Sequence, residues 1–122
     1  MTMDPIQARK TIVEGEFLIL QAMCQGARDR KVWDDAVHAL AGYRFRDPLH
    51  QLIFDTLREM NTDVPVIIRE LLPQRLTNKG FPDVDIDPFF YPHAMSAELV
   101  FSMMDLVKYS ERLEQRPEFA PQ

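Results

Sequence analysis

The sequence has one cysteine, four glycines, a shortage of positive charge and no apolar run long enough to cross a membrane. A single thiol cannot form an intramolecular disulfide, which favours a reducing compartment, so we expect a cytoplasmic protein without membrane attachment. The chain also lacks the Gly-x-x-x-x-Gly-Lys-[Ser/Thr] loop, which excludes ATP hydrolysis of the P-loop kind. Binding to the phosphates of nucleic acids needs a positively charged surface, whereas this chain has a net charge of −5. We therefore do not expect direct nucleic-acid binding.

The composition is that of one folded domain. Of the 122 residues, 46% are apolar and 27% are charged, which is enough to bury a modest core without metals or disulfides. We predict a single helical domain over residues 1–115 and a frayed C-terminal tail over 116–122, where prolines and polar residues accumulate.

Three Asp-Pro pairs mark helix starts, because Asp accepts hydrogen bonds from free N–H groups and Pro suits the first helical position. Apolar residues recur at helical spacing after each start, and no strand-like alternation occurs. The predicted class is therefore all-α, a compact orthogonal bundle of five to six short helices. The predicted elements are a helix from Pro5 to about Gln25 stopped by Gly26, one opening near Asp29, one from Asp47-Pro48 to Asn61, one capped by Thr62-Asp63 and kinked or ended at Pro73, a helical turn over 88–91, and a last helix from Ser96.

Carboxylates alternate in one loop-like segment and suggest a cation site. They are Asp83, Asp85 and Asp87, followed by His93. A calcium loop needs Gly at its sixth position and Glu at its twelfth, but this segment has Pro88 and Ala94 there. The calcium pattern therefore fails, and a weaker cation site remains as a minor alternative.

The other chemically capable residues also favour structural roles. Asp34 and His38 lie one helical turn apart, but two ligands do not make a metal site, and we expect a surface hydrogen bond between them. Cys24 lies in an apolar helix without an adjacent base and is expected to be a buried, inert thiol. His50, in the first turn of the third helix, is expected to bridge helix starts. No catalytic motif is complete, so we predict a non-enzymatic protein without metal or cofactor.

Two segments resemble a known family. The run Val32-Trp33-Asp34-Asp35-Ala36, followed by Phe45-x-x-Pro48-x-His50-x-x-Ile53-Phe54, is similar to the N-terminal domain of bacterial DnaB-type replicative helicases. The likeness extends upstream through Glu16-Phe-Leu-Ile-Leu-Gln-Ala-Met and downstream through Ile67-Ile-Arg-Glu-Leu-Leu to Asn78-Lys-Gly. It covers roughly residues 12–112. After Gly80 the chain departs from the family, with a Pro- and Asp-rich segment in place of Gly-Gly and an aromatic helix.

The resemblance implies a helical module without catalysis. In that family the domain forms the collar of a ring helicase, pairs with neighbouring copies and offers a surface to the C-terminal domain of primase. The resemblance thus implies a protein partner such as primase or a helicase subunit, with a homodimer as one form of pairing. Its motif residues are expected to be structural: Trp33, Asp34, Phe45, Pro48, His50, Ile53 and Phe54.

Two readings of the function remain besides the minor cation-binding one. The first is a helicase-collar-like module that binds a replication protein, and the second is the same fold used for an unrelated protein contact. For either reading the expected contact residues are aromatic side chains near the end of the chain, which an interface often displays. These residues are Phe89, Phe90, Tyr91 and Phe101. The alternative is that they close one end of the bundle.

Overall fold

A computed structural model describes residues 5–26, 30–91, 104–105 and 107–109. Within these ranges the chain is all-helical, as predicted, and its helices pack into one bundle. The described elements are α1 (Pro5–Cys24), α2 (Arg30–Ala39), α3 (Pro48–Met60), α4 (Pro65–Asn78), a 3₁₀ turn (Asp87–Phe89) and helical residues at 104–105 and 107–109. None of the described helices is both long enough and apolar enough to cross a membrane.

Helix α1 is the element around which the others pack. It spans 20 residues, about 30 Å at 1.5 Å per residue, and contacts α2, α3, α4 and the 3₁₀ turn. Its buried positions recur at helical spacing and make one broad face. The members of that face are Ile12, Glu16, Ile19, Leu20 and Met23. The helix ends before Gly26, as predicted, and the positive φ of 82° at this residue is one that glycine adopts without strain.

Helix α3 begins and ends where the sequence predicts. The Asp47 side chain accepts a hydrogen bond from the Leu49 N–H at 2.8 Å, and Pro48 takes the first helical position. At the other end Asn61 adopts the left-handed conformation with φ of 50°, and its N–H donates to the Leu57 carbonyl. Asn tolerates this conformation better than most residues, which explains the stop.

Helix α4 differs from the prediction at its start. Its N-cap is Val64, without a side-chain hydrogen bond, so the predicted Thr62-Asp63 cap is wrong. Pro65 explains the shift, because a proline at the first helical position sets φ for the helix and has no N–H to satisfy. The helix continues through Pro73 to Asn78, so of the two predicted alternatives at this proline, a kink or an end, the end does not occur. Leu72 and Leu76 are buried on either side of Pro73, and their packing outweighs the one hydrogen bond that proline cannot make.

The core combines the helix faces with three aromatic residues expected from the sequence. Trp33, Phe45 and Phe54 are all buried, and the Phe45 and Phe54 ring centroids lie 5.1 Å apart. Ile53 is buried beside them, whereas Pro48 is exposed. The Trp33 indole N–H is buried without an acceptor, the one such side-chain group in the described part of the chain. The prediction that these aromatic residues form the core is confirmed.

Several predictions concern residues outside the described ranges. They are the helix start at Ser96, the contact residue Phe101, the loop residue His93 and the tail over 116–122. Of the last predicted helix, Met104 and Val107 are helical and buried against the core.

Candidate partner-binding site

A buried carboxylate joins α1 to the segment over 43–47 and to the start of α3. Glu16 in α1 is fully buried, and its Oε2 accepts hydrogen bonds from the Tyr43 hydroxyl at 2.5 Å and the Arg46 N–H at 2.6 Å. Its Oε1 accepts from the Asp47 N–H at 3.3 Å and lies 3.0 Å from Nδ1 of His50. Since both oxygens already accept from backbone N–H groups, we assign the ring proton to Nδ1 of His50 as a further donor.

This arrangement fastens the turn over 43–47 and the start of α3 to the middle of α1. His50 is buried, and its Nε2 lies 3.8 Å from a carboxylate oxygen of Asp47. The predicted structural role of His50 is confirmed, but it connects the start of α3 with the middle of α1 rather than two helix starts. Sequence reasoning did not single out Glu16 as a buried group. The signal was present, because Glu16 lies four residues after Ile12 and three before Ile19, on the buried face of α1.

The remaining chemically capable groups are also held in structural roles. Cys24 is buried, and burial raises the pKa of its thiol to about 12, so the thiol stays protonated at neutral pH. Asp34 pairs with Arg30 at 3.0 Å, so the expected pairing with His38 is wrong. Arg30 lies four residues before Asp34, one helical turn away in the other direction, and carries a permanent charge.

The acidic segment is exposed and already paired in part. The Asp85 carboxylate accepts from the Asp87 N–H at 3.0 Å, and Asp87 pairs with Arg69 at 3.2 Å. Across the described residues, no three or more His, Cys, Asp or Glu side chains come together in a way that would hold a metal ion. The local geometry is that of a turn leading into the 3₁₀ helix.

The predicted aromatic contact residues separate into different environments. Phe89 is buried, with its ring centroid 5.0 Å from that of Phe17, so its expected exposure is wrong. The 3₁₀ turn points this ring into the core, as in the alternative that the aromatic residues close one end of the bundle. Phe90 is half-buried, whereas Tyr91 is 64% exposed.

Two glutamines of α1 hold this aromatic segment in place. The Gln21 side-chain amide donates to the Pro88 carbonyl at 3.1 Å, and the Gln25 amide donates to the Phe89 carbonyl at 3.4 Å. These two hydrogen bonds and the buried ring of Phe89 together fix the backbone of the segment. Tyr91 is consequently presented at the surface from a supported position.

Arg69 of α4 faces both outer rings. Its guanidinium carbon lies 5.1 Å from the Phe90 ring centroid and 5.2 Å from that of Tyr91, and it donates to Asp87. These distances are within the range of cation–π attraction. The result is a planar cation held beside two aromatic rings at the protein surface.

A cavity of about 330 Å³ opens beside these groups. We call five of its lining residues the Arg69 surface, which consists of Pro65, Val66, Arg69, Phe90 and Tyr91. Val66 is 73% exposed, although an apolar side chain gains free energy by leaving water. Further exposed apolar side chains lie on or beside α4: Val64, Ile67, Leu71 and Phe81. Helix α4 therefore buries Ile68, Leu72 and Leu76 on one face and displays apolar groups on others.

No family model matches the chain, and no curated protein or solved structure is detectably similar to it.

Proposed function

We propose that this protein is a non-catalytic interaction module that binds a protein partner through the Arg69 surface. The observation that carries the proposal is the exposure of Tyr91 and Val66 around the guanidinium of Arg69. Tyrosine and arginine are enriched among the residues that contribute most to binding energy, and an exposed apolar neighbour gains by being covered. The supported backbone beneath Tyr91 reduces the entropy lost on binding.

The absence of catalysis is part of the same proposal. Both oxygens of the buried Glu16 carboxylate accept structural hydrogen bonds, and His50 is buried against this carboxylate. The thiol of Cys24 is protonated and enclosed. The carboxylate, imidazole and thiol that could serve catalysis therefore stabilise the fold, whereas the side chains of the Arg69 surface are suited to binding a partner.

For the partner, we propose a replication protein such as primase or a helicase subunit, acting in the cytoplasm. The support is the resemblance of the Trp33 and His50 segments to the DnaB-type N-terminal domain, together with the single thiol of the chain. The second candidate is an unrelated protein partner, bound by the same surface. It is favoured by the altered segment over 81–91, because this segment supplies two of the five residues of the Arg69 surface.

The test is a binding measurement with the full chain. The immobilised chain is presented with the C-terminal domain of primase and, separately, with the intact replicative helicase from the same organism. Saturable binding of either protein, weakened about tenfold or more by Tyr91→Ala and by Val66→Asp, is the expected result. Thr77→Asp is the matched control, because it adds the same charge to an exposed site at the other end of α4.

The outcomes separate the two candidates. Failure of both replication proteins to bind a chain with a normal helical circular-dichroism spectrum contradicts the replication partner. Binding that is unchanged by Tyr91→Ala and Val66→Asp contradicts the assignment of the Arg69 surface.

A further inference from the structure

The first half of α1 carries a second apolar stripe, apart from its buried face. Ile6, Lys10, Val13 and Phe17 follow one another at spacings of four, three and four residues, so they lie in one narrow line along the helix. Ile6 is 80% exposed, and Val13 and Phe17 are half-buried. This spacing is that of the seam by which one helix packs along another, with a lysine at one of the central positions.

Two adjoining cavities follow this line. One, of about 480 Å³, is lined by Ile6, Arg9 and Lys10, and the other, of about 400 Å³, is lined by Phe17, Leu18 and His50. Both are also lined by Val13 and Glu14, so together they form one groove. From Ile6 to Leu18 the groove follows α1 for about 18 Å, which is the length of three to four helical turns.

The charges along the groove are unequal. Arg9 and Lys10 are exposed at one end, where the Arg9 guanidinium also donates to the backbone carbonyl of Arg46 at 3.4 Å. These cations stand out on a chain of net charge −5. Glu14 is exposed on the other flank. A ligand that fits the groove therefore needs negative charge facing Arg9 and Lys10.

We propose that the groove along the first half of α1 binds an amphipathic helix of another protein, whose apolar seam contains an acidic residue opposite Lys10. The apolar line at helical spacing fits the ridges of a second helix, and the acid neutralises the lysine that the seam encloses. A second copy of this chain in parallel orientation fits less well, because that pairing sets Lys10 against Lys10. The groove shares no residue with the Arg69 surface, so its test is independent of the function proposed above.

The experiment uses the full chain and two fluorescent three-heptad peptides. Both peptides have leucine along the seam except at one central position, which is Glu in one peptide and Lys in the other. Fluorescence anisotropy should show the Glu peptide binding about fivefold or more tightly than the Lys peptide. Lys10→Glu should reverse this preference, and Val13→Asp should remove binding of both peptides.

The control carries the same charge change at a distance. Arg75→Glu, at an exposed position of α4, should leave the preference of the wild-type chain intact. Circular dichroism confirms that each variant is folded. Equal binding of the two peptides by the wild-type chain overturns the proposal, and so does binding that Val13→Asp does not reduce. Sedimentation tests the remaining alternative. A concentration-dependent dimer that is lost in Val13→Asp assigns the groove to a second copy of the chain and also overturns the proposal.

Discussion

Replacing Glu16 with glutamine is the sharpest test of how this fold is held together. The substitution keeps the size of the side chain but exchanges one acceptor oxygen for an NH₂ group. Whichever oxygen is replaced, two of the four donors around it lose their acceptor. The hydroxyl of Tyr43 can turn to accept a hydrogen bond, but the backbone N–H groups of Arg46 and Asp47 cannot.

The expected cost follows from those lost contacts. A hydrogen bond to a charged group contributes about 1.5–3 kcal/mol, and a buried donor left unpaired costs about 1–3 kcal/mol. We therefore expect Glu16→Gln to lower the free energy of unfolding by about 2–4 kcal/mol. Glu16→Ala leaves all four donors unpaired, and with a total stability of about 5–15 kcal/mol for a domain of this size it should not fold stably.

Urea unfolding followed by the fluorescence of Trp33 measures the effect, because this is the only tryptophan and it is buried. Glu14→Gln is the matched control: the same change at an exposed position of α1 should alter stability by less than about 0.5 kcal/mol. A Glu16→Gln protein that unfolds within about 0.5 kcal/mol of the wild type would show that the buried hydrogen bonds do not hold the turn over 43–47.

Two further changes test the core. Trp33→Ala should lower the free energy of unfolding by about 3–5 kcal/mol, followed by circular dichroism, whereas Trp33→Phe should cost clearly less because it keeps an aromatic ring in the buried space. Equal losses would contradict the burial of the Trp33 ring. Cys24 should resist a thiol reagent at pH 8 in the folded chain and react once the chain is unfolded in urea. Because burial raises its pKa from 9.0 to about 12, the folded state is favoured fully below pH 9, and stability should fall by about 1.4 kcal/mol per pH unit between 9 and 12. Cys24→Ala should lack this part of the slope, and an unchanged slope would count against the burial of the thiol.

The sequence alone was sufficient for most of the helix boundaries. Asp47, Pro48 and Asn61 act through contacts within a few residues of themselves, so their effect is visible without the fold. The boundary that failed is the start of α4 at Pro65, where two local preferences compete. Pro65, rather than the polar Thr62-Asp63 pair, determines where α4 starts. The burial of Leu72 and Leu76 allows the helix to continue past Pro73.

The sequence by itself determined the helical class and the inert setting of Cys24, because helix periodicity and capping act over short distances. Only the tertiary structure decided which of three adjacent aromatic residues faces outward, since Phe89 and Tyr91 differ in what α1 places against them. The meeting of Arg69 with Phe90 and Tyr91 likewise joins segments some twenty residues apart. Spacing along the chain carries no information on such contacts, because they depend on how α4 and the 3₁₀ turn pack against α1.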